Sequence, residues 1–257
     1  MVLKQQQSIT NKAKIHEYME STFDYREQQI SVTLTSASQI FEEYPRYVDF
    51  ENGSLILHDF YRKYKDAHSC LETRFFGRFQ NALVGLAERK KVEVTKSTDE
   101  SLGALVLCLK VMPSVSRIKK ADFSSKLGRL FYFVKENASI SSIVESKDEI
   151  YHKQPFLIVS GTLEHPLSFF LVIEKTAIPV GSNCAHAFHV LFASFSFSDW
   201  NILNILTNFF FFSNNLFFKL ERISALAIKN LQTASTMLHQ QQFRSPSNNS
   251  SKVKFIL

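Results

Sequence analysis

Two short blocks rich in β-branched and aromatic side chains, residues 155–162 and 167–174, limit the fold more than any other feature of the sequence. Gly161 and Pro166 mark the link between them, and this arrangement predicts two adjacent β-strands. Neither block alternates between apolar and polar side chains. We therefore expect other parts of the protein to cover both faces of the hairpin.

The segment after this hairpin predicts a helix that lies across the strands. Gly181 allows a turn, and Ser182 can accept hydrogen bonds from the first amides of a helix. Apolar side chains then recur every three or four residues, at Ala185, Phe188, Phe192 and Phe195. Together with a strand over residues 130–134 and a helix over 139–151, these elements predict an α+β module over residues 129–196.

The N-terminal half of the chain predicts helices. Residues 1–34 form a polar lead-in, with weak helical spacing at Ile15, Tyr18 and Met19 that Phe23 interrupts. Residues 35–112 form a helical region, in which Thr35 can cap a helix that Pro45 ends and Asn52-Gly53 makes a turn.

Three further helices complete this helical region. The first carries Leu55, Ile56, Phe60 and Tyr64, and the second runs from about Cys70 to Ala87. The third begins with a capping box formed by Ser97 and Glu100, and Pro113 stops it. This third helix is almost entirely apolar from Leu102 to Leu109, so we expect it to be buried between layers.

The fold class predicted from these patterns is α+β. A helical N-terminal half precedes a small mixed sheet that helices cover, with strands near residues 130–134, 155–161 and 167–174. The 257 residues include 45% hydrophobic residues and only 7 Gly and 6 Pro, which allows one large core or two ordinary ones.

Positive charge is concentrated in one segment of the chain. Residues 1–100 carry 14 Lys and Arg against 15 Asp and Glu, a net charge of −1, whereas residues 101–257 carry 16 against 9, a net charge of +7. Residues 113–128 read as a basic linker. Backbone neutralisation and base stacking by the basic, aromatic segment 110–135 would suit nucleic acid, although solvated cations over a packed core give the same pattern. The candidate cations are Lys110, Arg117, Lys119, Lys120, Lys126, Arg129 and Lys135.

The cysteine pattern indicates a reducing compartment. Cys70, Cys108 and Cys184 are an odd number, widely spaced within apolar or helical patterns, which favours free, packed thiols. Residues 1–7 lack the apolar run of a secretory signal. We therefore expect an intracellular protein of the cytoplasm or nucleus.

The C-terminal third is unusually rich in aromatic residues. Residues 197–239 predict an aromatic-rich helical region, and the polar, Ser- and Asn-rich residues 240–257 predict a disordered tail. Residues 202–220 resemble a membrane span in hydropathy, but polar side chains interrupt them, so a buried or partner-binding helix is favoured over a single span.

Few residues suggest chemistry. Cys184, His186 and His189 are close in sequence, and a helix would place both imidazoles on one side, but a fourth zinc ligand is missing nearby. Ser160-Gly161 follows a strand without the Gly-x-Ser-x-Gly pattern of a nucleophile elbow. The sequence contains no phosphate loop, dinucleotide fingerprint, HExxH or paired-carboxylate motif, so we expect neither a cofactor nor an enzyme. An enzyme would require Ser160 or His186 to line a pocket with an acidic neighbour.

Several short segments resemble those of a multi-copy animal protein family of unknown function. They are Tyr44-Pro-Arg-Tyr-Val-Asp49, Asn52-Gly-Ser-Leu-Ile-Leu-His-Asp-Phe60, Gln154-Pro-Phe-Leu-Ile-Val-Ser-Gly161, Val172-Ile-Glu174 and Ile178-Pro179. The resemblance covers residues 35–196, and it implies no activity and no functional residue. Members of this family are sometimes found beside DNA-binding or protein-interaction modules. At residues 195–215 this sequence has an irregular aromatic run where the family continues with a regular segment.

We therefore expect a non-enzymatic protein-interaction module that binds a protein through the C-terminal aromatic helices. The alternatives are a nucleic-acid-associated protein that uses residues 110–135 and a single-span membrane protein that uses residues 202–220. The sequence does not indicate an oligomeric state.

Overall fold

The computed structural model describes residues 12–34, 36–64, 80–111, 123–146 and 154–195. These residues form ten α-helices, one short 3-10 helix and four β-strands. The elements in chain order are α1 Lys12–Ser21, α2 Phe23–Val32, α3 Ala37–Glu43, α4 Arg46–Asp49, the 3-10 helix Glu51–Gly53, α5 Ser54–Lys63, α6 Gln80–Arg89, α7 Glu100–Val111, α8 Phe123–Leu130, β1 Phe131–Val134, α9 Ile140–Ser146, β2 Phe156–Gly161, β3 Pro166–Ile173, β4 Thr176–Pro179 and α10 Cys184–Ser194. The α+β class predicted from the sequence is confirmed.

The four strands form one mixed sheet in the order β1-β2-β3-β4. Strands β1 and β2 are parallel and are connected through α9, whereas β2, β3 and β4 are consecutive antiparallel strands. The three predicted strands are confirmed, although Leu130 ends α8 and β1 begins at Phe131. Strand β4 was missed because it is only four residues long and ends in Pro179, and proline is unfavourable within a strand.

Helices cover the two faces of the sheet. On one face, Val144 of α9 packs in a cluster with Val134, Phe156, Ile158 and Val172. Because side chains alternate along a strand, the neighbouring residues Leu157, Val159, Phe169 and Leu171 point to the opposite face, and α10 packs against β2 and β3 there. The predicted burial of β2 is confirmed, but the first half of β3 is less covered, since Leu167 is 45% exposed.

Helix α7 packs among three other helices. Eight of its twelve residues are buried, and it packs against α6, α8 and α10. This confirms the prediction that the apolar run from Leu102 to Leu109 lies between layers.

Residues 12–34 are more ordered than a polar lead-in. It forms two helices separated at Thr22, and Phe23 begins the second helix instead of ending the pattern. Ile15, Met19 and Phe23 are buried, so both helices are part of the core.

Polar side chains cap the starts of three helices, one or two residues from the predicted caps. Ser36 and Gln39 form the capping box of α3, next to Thr35, which lies outside the described residues. Asp99 accepts a hydrogen bond from the Leu102 amide (2.9 Å), so the predicted cap by Ser97 and Glu100 is wrong. Asn183, and not Ser182, accepts from the His186 amide at the start of α10 (2.9 Å).

Other predictions are corrected or lie outside the described residues. The segment 113–128 is not entirely a linker, because α8 begins at Phe123. The helix predicted over residues 70–87 is described only as α6, and the one over 139–151 only as α9. The aromatic region 197–239, the tail 240–257 and the candidate span 202–220 lie outside the described residues. None of the described helices combines the length and apolar character that a membrane crossing requires.

Candidate functional site

An open apolar groove lies where the parallel strands β1 and β2 end. Its volume is about 680 Å³, within the usual range for ligand sites. Phe133, Val134, Leu163 and Leu167 supply most of its apolar lining. Leu167 is among the most exposed large apolar side chains of the described residues, so the groove offers apolar surface to a binding partner.

The turn between β2 and β3 shapes one wall of this groove. Gly161 has a φ of +106°, and a Cβ atom there would lie 2.4 Å from the carbonyl oxygen of His165, so only glycine fits. The Thr162 amide donates to the His165 carbonyl (3.2 Å), and the Thr98 amide donates to the Glu164 carbonyl (2.8 Å). The turn is thus held both internally and by the segment that precedes α7.

Polar side chains line the rest of the groove. They are Lys135, Glu136, Thr162 and His165. Lys135 and Glu136 are adjacent and exposed, and within the described part of the chain neither side chain forms an ion pair. The groove therefore has a cation, Lys135, and an anion, Glu136, at consecutive positions of its lining.

Ser160 lies next to the groove, and its hydroxyl contacts a backbone carbonyl. Its side chain is buried, and its hydroxyl donates to the backbone carbonyl of Glu136 at 3.5 Å, a long hydrogen bond. The groove lining includes its neighbour Gly161 but not Ser160.

The candidate nucleic-acid residues are only partly described. The Lys110 ammonium donates to the Glu93 carbonyl (3.1 Å) and the Thr95 hydroxyl (2.6 Å), so it connects α7 to the irregular segment before it. Arg129 and Lys135 are exposed on either side of β1. The structure leaves out Arg117, Lys119 and Lys120, and the side chain of Lys126, so a basic surface over residues 110–135 stays a prediction.

The three candidate metal ligands have separate surroundings. Cys184 is a free, fully buried thiol at the start of α10, and burial, reinforced by the charge of Asp99, raises its pKa well above the ordinary value. His186 Nε2 lies 3.0 Å from the Asn52 carbonyl oxygen, and His189 is buried. Among the described residues, no group of three or more His, Cys, Asp or Glu side chains is placed to hold a metal ion.

A buried ionic network joins α2, α4 and α5, and sequence reasoning did not find it. Arg26, 1% exposed, makes two hydrogen bonds of 2.7 Å to the carboxylate of Asp59 and donates through Nε to the Tyr47 hydroxyl (3.0 Å). Its remaining nitrogen donates to the Met19 carbonyl (2.7 Å) and to Thr22. Tyr47 also donates to Asp59. The guanidinium is fully used by these partners, which makes the network structural.

The electrostatics of the network follow from this arrangement. Burial opposes the charge of Arg26, but the interactions with Tyr47 and Asp59 outweigh it and raise the pKa of Arg26 above its ordinary value. Burial, and then the charge of Asp59, raise the pKa of Tyr47 well above its ordinary value. The only sequence signal was a charged residue within the helical spacing of α2, which is indistinguishable from a solvated one.

Comparison with known proteins gives one partial match. Residues 1–50 match the family model described as sterile alpha motif domain-containing protein 3, helical domain. The match covers α1 to α4. Arg26 therefore lies inside the matched segment, whereas its partner Asp59 lies outside it. No curated protein and no solved structure matches the chain.

Proposed function

We propose that this chain is a non-enzymatic protein-interaction module that binds a polypeptide partner through the groove at the ends of β1 and β2. The observation that carries the proposal is the exposure of Leu167 beside Phe133 and Leu163 at the mouth of an apolar groove. Apolar surface of this kind is a common feature of protein-binding sites. The match of residues 1–50 to a helical domain is compatible with this function but names no partner.

The partners of three ionisable groups, one buried and two half-buried, support a non-enzymatic role. Arg26 and Asp59 are used by each other, and Asp99 is used by backbone amides at the starts of α7 and α10. A catalytic acid or base needs a free position toward a substrate. An intracellular location and membership of a multi-copy animal family belong to the same proposal. Neither Cys108 nor Cys184 is in a disulfide, which is compatible with a reducing compartment.

Site-specific photo-crosslinking tests the proposal. A photoreactive phenylalanine analogue at position 167 of the full chain, in cells that express it, should yield a discrete adduct with a polypeptide. Val94 is the matched control position, because it is 44% exposed and lies outside the groove lining. The adduct should be absent at position 94 and should disappear when Leu163→Asp is added to the position-167 variant. The same adducts at both positions would contradict the proposal.

A further inference from the structure

We infer that the partner of the groove is a second copy of this chain, arranged about a two-fold axis. This inference rests on the proposed function, because it names the polypeptide that the groove binds. A two-fold interface brings the same patch of both copies together, so the patch must be complementary to itself in shape and in charge. The groove fulfils both conditions.

The shape condition is met by Leu167 and its surroundings. Leu167, at the start of β3, lines the open apolar groove together with Phe133 and Leu163, and 45% of its surface is exposed. An exposed apolar side chain on the wall of an open groove can pack into the same groove of a copy rotated by 180°, while the Leu167 of that copy packs in return. Two identical contacts form from one patch.

The charge condition is met by Lys135 and Glu136. They are adjacent, exposed and without an ion-pair partner among the residues that the structure describes. A two-fold axis that passes between them would place each lysine opposite the glutamate of the other copy, which gives two ion pairs. A partner of uniform charge would instead meet one attractive and one repulsive group, so the pair favours a copy of itself.

Charge reversal tests this arrangement by sedimentation equilibrium on the full chain. The unmodified chain should show a concentration-dependent increase toward twice the mass of one chain. Lys135→Glu alone, or Glu136→Lys alone, replaces two attractive contacts by repulsive ones, and should weaken the dimer about tenfold. The double variant Lys135→Glu with Glu136→Lys restores both ion pairs and should recover the dimer.

Mixing the two single variants gives the sharpest result. At positions 135 and 136, the Lys135→Glu variant has two acidic residues and the Glu136→Lys variant has two basic ones. An equimolar mixture of the two should therefore form a mixed dimer that is tighter than the dimer of either variant alone. Because both variants must be folded for this recovery, it separates a lost interface from a lost fold. Leu167→Asp should abolish the dimer, and Val94→Asp should leave it intact.

Each alternative outcome is decisive. A chain that stays monomeric at every concentration overturns the inference. A dimer whose affinity is unchanged by both charge reversals also overturns it. A photo-crosslinked adduct at position 167 with a different polypeptide also overturns the inference but leaves the proposed function standing.

Discussion

The carboxylate of Asp59 accepts two hydrogen bonds of 2.7 Å from the guanidinium of Arg26, a residue 33 positions earlier in the chain. Arg26 is 1% exposed, and the side chain of Asp59 is 11% exposed. Burial of both charges away from water makes each of them dependent on the other. The pair therefore fixes how the first two helices attach to α5.

Removing one partner of this pair should be strongly destabilising. We expect Arg26→Ala to lower the free energy of unfolding by about 3–5 kcal/mol, because Asp59 is left as an uncompensated buried charge. The matched control is Arg62→Ala, which breaks an ion pair with the half-exposed Glu20 and should cost less than about 1 kcal/mol. Urea denaturation measures both values. Equal losses for the two variants would show that Arg26 contributes no more than a surface residue.

The same network should make the protein sensitive to alkali. Burial and the charge of Asp59 raise the pKa of Tyr47, so above pH ~10 the unfolded chain loses this proton while the folded chain retains it. The free energy of unfolding should then fall as pH rises, by up to about 1.4 kcal/mol per pH unit for this one group, until the pKa of the folded state is reached.

Tyr47→Phe removes the titrating group and should reduce this alkaline slope. The slope should not vanish, because burial also raises the pKa of Tyr44 and of Cys184. Tyr64→Phe, at an exposed position that does not act on Tyr44 or Tyr47, is the control that should preserve the slope. Urea titrations at several pH values provide the measurement, and identical slopes for all three proteins would refute the assignment to Tyr47.

Asp99 should stabilise the starts of two helices. Its Oδ1 accepts from the Leu102 amide and its Oδ2 from the Cys184 amide, both at 2.9 Å. Asp99→Ala should cost about 1–4 kcal/mol, since a single helix cap is worth about 0.5–2 kcal/mol. Hydrogen exchange should accelerate at both amides. The neighbouring exposed Glu100→Ala should change little, and acceleration at Leu102 alone would disprove the shared role.

Two glycines should respond to alanine in opposite directions. Gly161→Ala places a Cβ atom against the His165 carbonyl in a backbone conformation with φ of +106°, so we expect a loss of more than about 1 kcal/mol and a disturbed groove. Gly85 lies within α6 with open space around it, and Gly85→Ala should gain about 0.5–1 kcal/mol. Thermal unfolding of both variants checks the signs, and a stabilised Gly161→Ala would contradict the turn geometry.

The sequence predicted those elements that an apolar pattern alone is enough to identify. Strand β2, the second half of β3 and most of α7 are continuous apolar runs, and such runs are buried in the core in most folds. Helix starts were predicted to within one or two residues, because Ser97 and Asp99, or Ser182 and Asn183, are equally suitable caps and tertiary contacts select one.

The sequence could not predict the burial of Arg26 or the groove. A buried arginine requires a specific carboxylate from a distant helix, and no local pattern reports that pairing. The groove depends on residues from β1, the β2–β3 turn and β3, and Leu167 looked like another core residue of the strand.

Glu174 caps the start of α3, although the two are far apart in the sequence. Its carboxylate accepts from the amides of Ala37 (3.1 Å) and Ser38 (3.0 Å), 137 and 136 positions earlier. During synthesis, these two amides cannot form their hydrogen bonds to Glu174 until the β3–β4 turn has left the ribosome. The start of α3 can therefore reach its final set of hydrogen bonds only after the β3–β4 turn has been synthesised.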